Sequence, residues 1–143
     1  MATNRVAYPV TVARATAGPG WYRAMKMYGG SIALTSADVG TINNTIQLFK
    51  VPAGFTCTDL HVEVPTSLAA SALTLSLGDS GTTNRLLSAS TIGVAGGKVD
   101  VLAAGAEGYR FPVETDIQLL IAAAGVTPAA GTITVFMEGF IDG

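Results

Sequence analysis

The chain has 143 residues, of which 49% are hydrophobic and only 13% charged. Charge is about half the roughly 25% of an average globular chain, and this much apolar sequence excludes an intrinsically disordered protein. The single cysteine, Cys57, excludes an intrachain disulfide framework and a zinc-finger pattern, and reads as a small buried hydrophobe. Formal net charge is −2, unevenly spread. Arg5, Arg14, Arg23 and Lys26 precede the first acid, Asp38, whereas the remainder sets four basic residues against ten acids. A basic segment followed by an acidic body predicts a segment that docks on a negative surface. Four charges spread this thinly are few for nucleic acid, so a protein partner is expected and nucleic acid is not.

The first 30 residues predict an extended arm. Pro9 and the Gly-Pro-Gly at 18–20 forbid a continuous helix or a central strand, and the Gly29-Gly30 pair marks its end. Trp21, Tyr22 and Tyr28, beside Arg5, Arg14, Arg23 and Lys26, are the residue types enriched at protein interfaces. They are the candidate contacts to a partner protein or another subunit, with folding back over the body as the equally weighted alternative. No apolar leader opens the chain, and the longest apolar run, "LLIAAAGV" at 119–126, is far short of the ~20 residues of a membrane helix. No membrane partner is expected, and synthesis in a cytoplasm is.

From residue 31 on, short runs alternate apolar and polar residues and stop at Gly, Pro or Asp, which predicts strands. The segments are 31–36, 45–51, 58–64, 72–77, 86–91, 97–103, 116–123 and 132–141. Eight strands without a helical period predict an all-β, jelly-roll-like sandwich of two sheets over residues 31–143. In the last strand, Ile133, Val135, Met137 and Ile141 share one face and Phe136, Glu138 and Phe140 the other. Two phenylalanines on the face that should be polar predict a second buried face or a subunit interface. Phe136 and Phe140 therefore join the candidate contacts.

Residues 78–81 spell Gly-Asp-Ser-Gly, the run that carries the nucleophile of trypsin-like proteases. That chemistry needs a histidine base and a separate orienting carboxylate. His61 is the sole histidine, the only Asp between it and Ser80 is Asp79 itself, and Thr82 stands where the family continues with glycine. The run instead predicts a turn, with Asp79 and Ser80 bonding their own backbone and the glycines free to adopt positive φ. His61 lies between Asp59 and Glu63 on one strand face, but i and i+2 side chains root nearly 7 Å apart at ~3.3 Å per residue. A solvated polar face is expected there rather than a metal site. Neither an enzyme nor a cofactor is expected.

The body resembles the small virion proteins of tailed phages that decorate, or cement, capsids. The resemblance rests on "IQLFKVPAGFTCTDLHVEVPTSL", "ALTLSLGDSGTTNRLLSAS" and "GYRFPVETDIQLLIAAAGVTPAAGTITVFMEGFIDG" in that order, and covers about residues 45–143. It implies a jelly-roll module, commonly a homotrimer, on the outside of the phage head where it binds and bridges the major capsid protein. A tail or fibre module that binds host glycan, and a coat subunit, are the alternatives.

Overall fold

A computed structural model describes residues 25–99 and 102–141 and the backbone of residues 4–6. Among the described residues, nine strands and two single-turn helices follow one another as β1 (Asn4–Val6), β2 (Met25–Leu34), α1 (Ser36–Val39), β3 (Thr45–Val51), β4 (Phe55–Val64), β5 (Thr74–Gly78), β6 (Leu87–Ser90), α2 (Ile92–Ala95), β7 (Gly97–Val99), β8 (Thr115–Ala123) and β9 (Gly131–Ile141). The eight strands from β2 to β9 pair as a nested hairpin: β2 with β9, β3 with β8, β4 with β7 and β5 with β6, all antiparallel. Folding that hairpin over on itself makes two sheets, ordered β2-β9-β4-β7 and β3-β8-β5-β6. This is the jelly-roll arrangement that the strand count predicts. Strand β1 adds a parallel edge to the second sheet, with Arg5 opposite Ile46.

Alternation explains why these segments pair. On β9, Ile133, Val135 and Met137 are buried, and on β4 so are Leu60, Val62 and Val64. They meet Ile46, Phe49 and Val51 of β3, Leu75 and Leu77 of β5, and Ile117, Leu119 and Ile121 of β8. Two inner faces of branched side chains, stacked about 10 Å apart, make the core of a sandwich. An aromatic cluster closes one end: Phe55 stacks near Phe111 at 6.4 Å and receives the Tyr28 ring edge-on at 5.2 Å.

Strand β2 begins at Met25, so residues 25–30 are part of the sandwich and the Gly29-Gly30 pair lies in mid-strand. Gly29 has φ +139, and a Cβ there would stand 1.9 Å from the Val135 carbonyl oxygen. The pair reads as a break in the sequence because glycine usually ends strands. Here it permits close approach of two backbones instead. Tyr28 is correspondingly a core residue, 9% exposed, and not an accessible contact. Its inward position on β2, alternate to Met27, turns the ring onto Phe55, and burial pushes the phenol above its ordinary pKa.

Candidate interaction surface

The outer face of the β2-β9-β4-β7 sheet gathers the apolar and charged side chains that point away from the core. Strand register sets them in rows: Met25, Phe140 and Thr56; Met27, Glu138 and Asp59; Gly29, Phe136 and His61; Ser31, Thr134 and Glu63. Phe136 and Phe140 are half-buried on this face. Ser31 and Thr134 hydroxyls hydrogen-bond at 2.6 Å, which ties the rows of β2 and β9 together. A shallow depression of about 50 Å³ lies among Met27, Asp59, His61, Phe136 and Glu138.

His61 Nε2 is 3.5 Å from Glu63 Oε2, and Asp59 Oδ1 accepts from the Leu60 N–H at 2.9 Å. Each carboxylate is thus directed to a different partner. No group of three metal-ligating side chains occurs among the described residues. At the far side of the sheet, Glu63 stands opposite Lys98 of β7, an opposite-charge cross-strand pair.

The remaining sequence-predicted contacts distribute unevenly. Lys26 is half-buried on β2, opposite Gly139. Arg5 falls in β1, described by its backbone alone, and Arg14, Trp21, Tyr22 and Arg23 lie outside the described residues. Strand β2 opens at Met25, opposite Phe140.

The Gly-Asp-Ser-Gly run forms a closed turn at the opposite sheet. Asp79 Oδ1 accepts from the N–H groups of Gly81 (2.9 Å) and Thr82 (2.8 Å), and Oδ2 accepts from Arg85 Nε at 2.6 Å. Partial burial alone would raise the Asp79 pKa. The Arg85 hydrogen bond and charge, with the Thr82 and Gly81 N–H groups, outweigh it and hold the carboxyl below its ordinary value. Gly78 and Gly81 are not among the positive-φ glycines, contrary to expectation. Gly78 is needed for space: a Cβ there would lie 2.1 Å from the Thr82 carbonyl oxygen. Ser80 is exposed at the tip, and His61 stands on the outer face of the other sheet. A hydrogen-bonded Ser–His pair cannot form across the sandwich.

The fold stacks the Arg85 guanidinium 3.9 Å over the Tyr109 ring, a cation–π contact. Tyr109 in turn meets Phe111 edge-on at 5.0 Å. These residues bound a groove of about 360 Å³ that also includes Gln47, Gln118, Glu114 and Asp116. The groove was not legible in the sequence, because its walls come from loops more than twenty residues apart.

No protein-family model and no curated protein matches the chain. Three solved structures do, and all are phage capsids. A chain of the cyanophage Pam1 capsid asymmetric unit is 26% identical with a TM-score of 0.72, over 90% of this chain and 93% of that one. A chain of the capsid of Ralstonia phage GP4 is 23% identical with a TM-score of 0.72, over 91% and 92%. A chain of the acidic stable capsid of Helicobacter pylori bacteriophage KHP30 shares 15% identity, with a TM-score of 0.56 over 90% and 93%. The fold is therefore that of a jelly-roll sandwich also found in phage capsids.

Proposed function

We propose that the chain is a structural protein of a phage capsid, placed on the outside of the head, where it binds and bridges subunits of the major capsid protein. The observation that carries this reading is the match to a chain of the Pam1 capsid asymmetric unit over nine-tenths of both chains. That near end-to-end match supports a shell role for this sandwich. The reading does not rest on catalysis: the turn that spells a protease motif has its carboxylate committed to Arg85 and two backbone N–H groups.

The physical mechanism is additive burial. Many copies, each covering apolar surface on neighbouring shell subunits, raise the cost of separating those subunits by roughly 25 cal/mol per Å² of apolar area buried. The outer face with Phe136 and Phe140 supplies such area, and supports a contact between copies in a homotrimer. The basic segment, with Arg14, Trp21, Tyr22 and Arg23, supplies the contact to the shell. Both assignments agree with the depletion of charge in this sequence, since interface cores lose charged residues.

The test is addition of purified full-length protein to heads that lack it, followed by sedimentation and quantification of bound copies. Wild-type protein saturates the heads at many copies each, and the R14E/R23E variant binds at least tenfold fewer. Absence of saturable binding by the wild type overturns the proposal. Equal binding by the variant overturns the role given to the basic segment.

A further inference from the structure

The long strands run between two loop ends that differ in charge. At one end the α1–β3, β4–β5 and β8–β9 connections meet. The Gly125 N–H donates to the Val39 carbonyl at 2.9 Å, the Ala70 N–H to Val126 at 2.9 Å and the Ala129 N–H to Leu68 at 2.8 Å. Residues 39–49, 64–78, 86–97 and 117–137 contain no Asp, Glu, Lys or Arg. Asp38 precedes the first of these runs, but it is buried, and its carboxylate accepts from the Thr35 N–H at 2.8 Å. The opposite end carries Lys50, Asp79, Arg85, Glu107, Arg110 and Glu114.

Apolar side chains stand out from the charge-free end. Ile42 is 55% exposed and Val126 is 53% exposed, with Pro128 and Ala129 exposed beside them. Single exposed hydrophobics are ordinary, but the backbone that holds this pair is not. Among the described residues, four non-glycines have positive φ, and three of them lie here: Asn43 (φ 63), Ala72 (φ 68) and Thr127 (φ 52). Asn43 directly follows Ile42, and Thr127 directly follows Val126. Ala72 follows Ser71, whose carbonyl accepts from the Val126 N–H at 3.0 Å. A β-branched residue such as Thr127 is a genuine outlier at positive φ. Such strain persists where the surrounding structure over-determines it, and it clusters at binding sites. The hydrogen-bonded loops therefore hold Ile42 and Val126 outward in a fixed arrangement, which lowers the entropy lost on binding.

We propose that this charge-free end seats on the shell, against an uncharged, apolar area of the major capsid protein, as a contact additional to the basic segment. The identity of the partner rests on the function proposed above. Contact between copies through the Phe136 and Phe140 face leaves both loop ends open. An end that faces solvent gains solubility from charge, whereas the core of an interface is depleted of it. A close contact is therefore made by the end that has no charge to desolvate.

The experiment adds full-length protein to heads that lack it and quantifies bound copies after sedimentation. Two paired variants place opposite charges at this end: Ile42→Glu with Val126→Glu, and Ile42→Lys with Val126→Lys. Both positions are more than half exposed, so both pairs fold, with a melting temperature within a few degrees of wild type, and self-associate as wild type in sedimentation velocity. Each pair binds heads at least about tenfold more weakly, because a charge of either sign has to be desolvated. Ile42→Glu alone, which leaves β8 and β9 untouched, moves binding in the same direction. Glu107→Lys, an exposed change at the opposite end, binds as wild type. Opposite effects of the two pairs, which mark a long-range field rather than a contact, overturn the inference, and so does an equal loss from Glu107→Lys. Loss of self-association by both pairs also overturns it, by making this end a contact between copies. Saturable wild-type binding that either pair matches overturns this inference alone, whereas absence of wild-type binding overturns the capsid reading with it.

Discussion

At the scale of single residues, two buried groups have environments that set measurable chemistry. Asp79 has a depressed pKa, so its ion pair and turn bonds contribute stability above the unfolded carboxylate value of 3.8. That contribution is lost as pH falls from about 3.8 through the lower folded value. Asp79→Asn removes the Arg85 pair and costs about 1–3 kcal/mol at pH 7, and the variant's stability is flatter than wild type below pH 4. Urea titration at pH 7 and pH 3 checks both statements. Cys57 behaves oppositely. Burial pushes its thiol up to about 11, so the folded protein holds its proton while the unfolded chain loses it near 9. Stability is full below pH 9 and falls between 9 and 11. Ellman's reagent at pH 8 finds the thiol unreactive until urea is added; rapid native-state labelling contradicts the buried placement. Cys57's burial was legible in the sequence, from its position in a β-rich run, but the Asp79–Arg85–Tyr109 stack was not. Spacing along the chain gives no sign that a guanidinium six residues after Asp79 also covers a ring at 109.

At the scale of elements, alternation placed most of the strands. The segment 45–51 coincides with β3, and 116–123 and 132–141 each fall one residue short of β8 and β9. Period-two patterns survive because one face of each strand meets the opposing sheet. β2 was legible only from residue 31, since the glycine pair hid its first half. Its physical requirement gives a test: Gly29→Ala drives a Cβ against the Val135 carbonyl in a backbone region that disfavours L side chains. The variant loses stability by more than the ~0.5 kcal/mol of a surface change, seen as a lower melting temperature. The outer face of the same sheet gives the complementary result. Phe136→Ser with Phe140→Ser leaves a folded monomer with a melting temperature within a few degrees of wild type, and abolishes self-association in sedimentation velocity. Unchanged association contradicts the contact assigned to this face. By contrast, core truncation at Phe55→Ala, beneath Tyr28 and Phe111, costs about 3–5 kcal/mol.

At the scale of the whole molecule, the nested pairing of β2 to β9 explains why so short a sequence of strands closes into one sandwich without disulfides. Long-range pairs such as β2 with β9 close the sheet between strands more than a hundred residues apart. The jelly roll was legible as a count of strands, whereas its sheet order required the pairing itself. The proposed partner surface rests on a charge imbalance and two misplaced phenylalanines, and one chain's sequence is silent about what would cover it. The central claim is placement on the phage head, and the most direct measurement is an electron cryomicroscopy reconstruction of particles that carry the chain. The account predicts this sandwich in many symmetry-related copies on the outer surface of the shell, each touching more than one capsid subunit. Density for the chain at the tail alone, or none on the particle, would contradict it.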